Sequence, residues 1–241
     1  MQQPEWGWRY KSPEKQNKLK KINIEDNSDQ YENYINESQV DNVSSEYTFE
    51  VGVNSWMDYV KTLKEEDIES LGPGKWLSDG IINVMLKKIM QDALKMDKIV
   101  LSLSPSEVQI IRAGKVHETA GVSIETIINT QHLDEYQIIL FPVNNNENLY
   151  AIGGSHWSLL IYVKGHKKFY HYDSSGVNIN DIYAVQIRDN LAKANSCFNA
   201  DLHVQQSPVQ NDGFSCGIYV IMNATTIVRD IKLDEDTMPN I

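Results

Sequence analysis

The chain has 241 residues, 41% of them hydrophobic, with 33 acidic and 22 basic side chains and a formal charge of −11. This length supports one large domain, or one domain with a tail, and a core big enough to fold alone. The acidic balance excludes nucleic-acid binding as the main role, because such binding rests on clustered Lys and Arg against phosphate, and it favours basic partners.

Residues 1–45 form a polar extension in which a basic stretch, RYKSPEKQNKLKK, gives way to an acidic one, INIEDNSDQYENYINE. They lack apolar periodicity and the apolar segment of a signal peptide, so they are expected to be flexible, a leader segment without fixed structure; the alternative is a tail that Trp6 and Trp8 anchor to a partner or to the main domain. A globular domain is expected over 46–241. Trp56, Val60 and Leu63 have helical spacing, and LGPG breaks that pattern. Ile81, Ile82, Met85, Leu86, Ile89 and Met90 then form one face of a second helix, capped by Ser78 or Asp79.

Beyond this helix the period shortens. DKIVLSLS and YQIILFPVN read as strands, and SHWSLLIYVK and KKFYHYDSS read as a hairpin with His166 at its solvent-facing turn. NDIYAVQIRDNLAKAN is amphipathic, with Asn180 as its cap, and DLHVQQSPV is a short strand. CGIYVIMNATTIVRD closes the chain as a helix. Helices early and late around a central run of strands give an α+β class. No apolar run approaches the roughly 20 residues of a membrane span. Two cysteines make no disulfide framework and suit a reducing compartment. No Cys-x-x-Cys or paired-His motif marks a metal site.

Cys216 opens that last helix. It is either a small core residue, as free cysteine often is, or a nucleophile at a helix N-terminus, where the dipole favours thiolate. A nucleophile needs a base, and the base needs an orienting group. His156 begins a strand just after two glycines, which let the backbone approach a neighbour closely. The hairpin returns Asp173 to the start of that strand, in position to hold the imidazole in one tautomer. Gln210 lies one short loop before Cys216 and has an amide able to serve an oxyanion. With the usual thiolate–imidazolium pairing, activity is expected to fall as His156 protonates, so that its profile is not flat from about pH 5 to 8. On the residues alone, the triad and the plain core helix both stand.

GGSHWSLLIYVKGHKKFYHYDSS followed by QNDGFSCGIYV resembles the Ulp/SENP cysteine proteases of the adenain-like clan, which act on ubiquitin-like modifiers. The order His-Trp, Asp, Gln, Cys-Gly is the family's. So are the spacings, with Asp173 17 residues after His156 and Gln210 six before Cys216. WLSDGII is similar to the family's Trp-Leu-Asn-Asp-x-Ile-Ile. The resemblance, over roughly 50–230, implies a papain-like fold with a central mixed sheet flanked by helices. It implies Cys216 as nucleophile, His156 as base, Asp173 as its orienter, and Gln210 with the Cys216 N–H as oxyanion donors. Trp76 and Trp157 match the indoles that clamp a Gly-Gly tail, and Asp79 matches the acid that meets a basic residue near that tail. The alternative for the two tryptophans is core packing, and for Asp79 a helix cap. Ser78, Gly80 and Ser215 depart from the pattern, in place of Asn, His and Asp.

Within the family the chain looks most like the deneddylase branch. The expected activity is cleavage after the modifier's C-terminal Gly-Gly, with the neddylation modifier or ubiquitin ahead of SUMO. Residues 112–135 are a candidate substrate-facing element. The resemblance implies no cofactor or metal, a monomer, and a cytoplasmic or nuclear site (host cytosol for a bacterial effector). The competing readings are an acetyltransferase effector of the same clan and a modifier-binding module with a dead triad.

Overall fold

The computed structural model describes residues 56–114, 122–148 and 153–241. The expected extension over 1–45, the domain start near Ser45 and residues 115–121 of the candidate substrate-facing element lie outside these. Among the described residues one sheet has five strands: β1 (Val100–Ser102), β2 (Ile138–Asn144), β3 (Trp157–Val163), β4 (Lys168–Tyr172) and β5 (Asp201–Gln205). Their spatial order equals their chain order. The central pairs β2–β3 and β3–β4 are antiparallel, and the flanking pairs β1–β2 and β4–β5 are parallel. Pro142 can occupy β2 because it lies past the short β1, whose ladder ends at Leu140.

Strand alternation divides the core in two. On one face Leu159, Ile161, Val163, Tyr170 and Tyr172 pack with α3 (Asp79–Leu94) and α7 (Cys216–Asp230). On the other, Leu160, Tyr162 and Phe169 pack with α4 (Pro105–Ala113), α5 (Ile124–Gln131) and α6 (Asp181–Ala194). Helices cover both faces, which explains why β2 and β3 read as unbroken apolar runs rather than alternating ones. This is the expected helix-flanked mixed sheet.

Several local expectations change. The first predicted helix is two short ones, α1 (Trp56–Val60) and α2 (Glu65–Glu69). Lys64 between them is extended, and its N–H donates to the Asp67 carboxylate at 2.9 Å, which starts a new helix. Helices also occur between the strands. The signal for α4 was Ser104-Pro-Ser-Glu107, in which the Ser104 hydroxyl and the Glu107 carboxylate cap one another's backbone N–H groups. In α3, Ser78 is the cap, accepting from the Ile81 N–H at 3.2 Å. His166 is not solvent-facing. It is buried, with Nδ1 3.0 Å from the Tyr170 hydroxyl. Asn180 precedes α6 but makes no side-chain cap, because its amide turns inward.

Helix α7 sits close against α3 because Gly217 carries no side chain. A Cβ there would stand 3.1 Å from the Leu77 Cβ and 3.3 Å from the Ile82 Cδ1. This contact fixes the helix whose first residue is Cys216. Leu86 is fully buried in the same layer. Leu86→Ala is expected to destabilise the protein by about 2–5 kcal/mol, read as a lower urea midpoint at unchanged slope.

Candidate active site

The site forms where the β3–β4 hairpin ends beneath the N-terminus of α7. Leu159 pairs with Tyr172, so the residue after β4 stands level with the first residues of β3. His156 Nε2 lies 2.6 Å from Asp173 Oδ1, and both side chains are essentially buried. Cys216 is buried as the first residue of α7 and near enough to the imidazole to act on its pKa. The structure therefore brings His156, Asp173 and Cys216 together.

The backbone of His156 is held as firmly as its ring. Asn145 Oδ1 accepts from the N–H groups of Ser155 at 2.7 Å and His156 at 3.1 Å. The Asn145 N–H returns a bond to the His156 carbonyl at 3.3 Å. Gly154 makes room for the adjoining Asn144 side chain. Its φ is +87°, and a Cβ there would overlap the Asn144 side chain. The sequence reading missed Asn145, although its place in the polar run Asn144–Asn146 between two apolar strands was visible.

Burial disfavours the imidazolium, but the hydrogen bonds and charges of Asp173 and Cys216 outweigh it and push the His156 pKa up to about 9. Burial also opposes the Asp173 carboxylate. It is outweighed by His156 and by the N–H groups of Asn180, at 3.0 Å, and Ser175, at 2.8 Å, which hold its pKa well below the usual range. The imidazolium is thus the resting form across pH 5–8. The titration of His156 therefore lies above the pH 5–8 window expected from the sequence.

Gln210 is ordered on the far side of the hairpin end. Its N–H donates to the Ser174 carbonyl at 2.9 Å, its Oε1 accepts from the Ser174 hydroxyl at 2.8 Å, and its Nε2 donates to the Asp212 carbonyl at 2.7 Å. Asp212 organises the turn into α7 by accepting from the N–H groups of Phe214 and Ser215 and from the Ser215 hydroxyl. The first N–H groups of α7 have no partner within the helix and point out of its N-terminus.

Trp76 is half exposed, and its indole N–H donates to the Gly213 carbonyl at 2.6 Å, which places it beside the loop leading to Cys216. Trp157 is buried in the same apolar cluster as Cys216. No ring contact joins the two indoles among the described residues. Asp79, at the start of α3, is exposed. Its pKa is raised by local desolvation and by the neighbouring Asp67. Asp67 also accounts for two departures from the expected motif. It accepts from the Ser78 hydroxyl at 2.6 Å, and its Oδ1 lies 2.6 Å from where a Gly80 Cβ would be.

The chain is similar to known proteins. Residues 75–241 match the family model described as the Ulp1 protease family, C-terminal catalytic domain. Sentrin-specific protease 8 of Rattus norvegicus is 30% identical over 183 residues, covering 74% of this chain and 80% of that protein. NEDD8-specific protease 1 of Arabidopsis thaliana is 36% identical over 102 residues, covering 40% of this chain and 43% of that one. Among solved structures, the Ulp1 protease domain in complex with Smt3, the yeast ortholog of SUMO, superposes with a TM-score of 0.52. It is 22% identical and covers 70% of this chain and 73% of that chain.

NMR titration of the His156 ring is expected to give a midpoint near 9. In Asp173→Asn only burial and the thiol remain, so the midpoint drops toward or below the ordinary value of about 6.5. An unmoved midpoint in the variant contradicts the pairing.

Proposed function

This chain belongs to the Ulp1 protease family and is a cysteine protease, and on that premise we propose that it cleaves after the C-terminal Gly-Gly of a ubiquitin-like modifier, with NEDD8 preferred. The observation that carries the reading is the buried His156–Asp173 pair, 2.6 Å apart, against a thiol at a helix N-terminus. The preference for NEDD8 draws on the resemblance to the deneddylase branch and on relatives named as NEDD8-specific proteases.

The proposed chemistry uses each group once per half-reaction. The Cys216 thiolate attacks the carbonyl carbon of the terminal glycine. The oxyanion that forms takes hydrogen bonds from the Gln210 amide and the Cys216 N–H. Collapse breaks the C–N bond as the His156 imidazolium gives its proton to the departing lysine amine, leaving a thioester on Cys216. Water then attacks the thioester while neutral His156 takes its proton. The modifier leaves as a free carboxylate, and the thiolate–imidazolium pair is restored. Asp173 stays ionised throughout, holding Nε2 so that Nδ1 faces the sulfur.

The position of Trp76 over the turn into Cys216 supports a role in walling a channel narrow enough for glycine. The burial of Trp157 supports a floor for that channel rather than a mobile gate. Asp79, exposed and lacking an ion pair among the described residues, is the acid proposed to meet the basic residue before Gly-Gly. No described helix is long and apolar enough to cross a membrane.

Cys216→Ala is expected to abolish turnover while preserving modifier binding; turnover at the wild-type rate would overturn the protease assignment to this residue. A panel of C-terminal electrophilic probes made from NEDD8, ubiquitin and SUMO is expected to label Cys216 fastest with NEDD8. Faster labelling by ubiquitin or SUMO would reassign the modifier. Labelling by none would return the chain to acyl transfer or to a binding module.

A further inference from the structure

Behind the His156–Asp173 pair lies a second imidazole–carboxylate pair that the proposed chemistry does not use. His171, wholly buried on β4, has Nδ1 2.7 Å from Asp181 Oδ1 on α6 and Nε2 2.9 Å from Ser158 Oγ on β3. Ser158 in turn lies 3.0 Å from the Nδ2 of Asn180. That Nδ2 also donates to the Val143 carbonyl at 3.1 Å and sits 3.4 Å from the His156 carbonyl. The backbone N–H of the same residue donates to Asp173 Oδ2 at 3.0 Å.

The chemistry of the partners orders the protons. Carbonyl oxygens only accept, so the nitrogen of the Asn180 amide must face Val143 and His156. The amide has two hydrogens, which go to the two nearer acceptors, the Val143 carbonyl and Ser158 Oγ, while the His156 carbonyl at 3.4 Å shares one of them; the Ser158 hydrogen then goes to His171 Nε2. Nε2 is therefore an acceptor, and the ring proton sits on Nδ1 facing Asp181. This chain of donors closes around a neutral imidazole. The complete burial of His171 acts in the same direction, lowering its pKa despite Asp181.

We propose that Asn180, braced by Ser158 and His171, is a positioning residue that fixes Asp173 and the His156 backbone relative to one another. The inference rests on the proposed role of that pair in proteolysis. Asn180 touches the carboxylate through its main chain and the histidine through its side chain, and it anchors both to the end of β2. An asparagine before a helix ordinarily caps it. Here the capping bond is forgone, and the buried Oδ1 has no partner among the described residues. An unsatisfied buried acceptor is destabilising, so the inward orientation is a net result of the bonds made by Nδ2. The charged and titratable groups facing the two rings are Asp173 after β4, Asp181 on α6, Cys216 on α7 and each ring itself.

The test compares Asn180→Ala, the isosteric Asn180→Asp and Ser158→Ala in the full chain. It uses steady-state cleavage of the modifier selected by the probe panel and NMR titration of His156. For Asn180→Ala we expect kcat to fall about 10–100-fold, the range found when the partners that orient metal-bound histidines are removed, with KM little changed and the His156 midpoint below 9. Asn180→Asp keeps the shape but opposes a carboxylate to two carbonyls, so it should fall at least as far. Ser158→Ala should fall less. Folded Asn180 variants with unchanged kcat and midpoint, or with a change in KM alone, overturn the proposal. So does loss of the fold in both Asn180→Ala and Ser158→Ala, which would make the network purely structural. If the wild type cleaves no modifier but the midpoint still shifts, the proposed function fails and the positioning role stands.

Discussion

A carboxylate buried beside an imidazole is the constraint on which this molecule is built. An isolated buried carboxylate would take up a proton rather than remain charged. Asp173 avoids this by accepting from His156 and from the N–H groups of Ser175 and Asn180. Each donor demands something of the fold. The histidine needs the β3–β4 register that brings the two strand ends level. The N–H donors need the chain to turn sharply after β4 and run straight into α6. The His156 backbone needs the Asn145 side chain, and the adjoining Asn144 side chain occupies the room that Gly154 leaves. The helix carrying the thiol is set by a separate contact, the close approach of Gly217 to Leu77 and Ile82.

Two histidines one strand apart end in different charge states, one cationic and one neutral, and the difference lies in what the second nitrogen meets. His156 has a carboxylate on one side and a thiol on the other, and a thiol can itself become an anion. His171 has a carboxylate on one side and a hydroxyl on the other, and that hydroxyl is already obliged to accept from Asn180. Protonating His171 would aim two donors at Ser158 and strand its hydrogen. Positive charge therefore collects on the ring that faces the sulfur, where a departing amine can use it.

Much of this was legible in the sequence because the signals were local. The hairpin, the last helix and the approach of His156 to Asp173 followed from alternation, turn residues and register. Asn180 was misread because helix-cap statistics describe exposed termini, whereas this residue is buried under three strand ends. His166 was misread for a related reason: a residue at a hairpin turn is ordinarily wet, but Tyr170 reaches back over this one. The position of α4 is marked in the sequence by the capping pair Ser104 and Glu107, but the short helix lies between two apolar strands whose periodicity dominates the local pattern. What no single-sequence reading could supply was Asp67, whose importance depends on meeting Ser78 and Gly80 across a break between two short helices.

That meeting bears on the departures from the family pattern. At 78 and 80 the resemblance leads one to expect Asn and His, and at 215 Asp; the chain has Ser, Gly and Ser. In each place a carboxylate arrives from elsewhere. Asp67 binds the Ser78 hydroxyl and fills the space that a side chain at Gly80 would need. Asp212 gathers the Ser215 hydroxyl and two N–H groups of the turn into α7. A small hydroxyl or no side chain at these positions is what lets a neighbouring acid enter. In the loop before the nucleophile the negative charge expected at 215 is therefore carried by Asp212, whereas near the start of α3 Asp67 stands beside positions where the pattern has the uncharged Asn and the basic His. The backbone these acids organise, the cap of α3 and the turn that ends in Cys216, keeps its bonds.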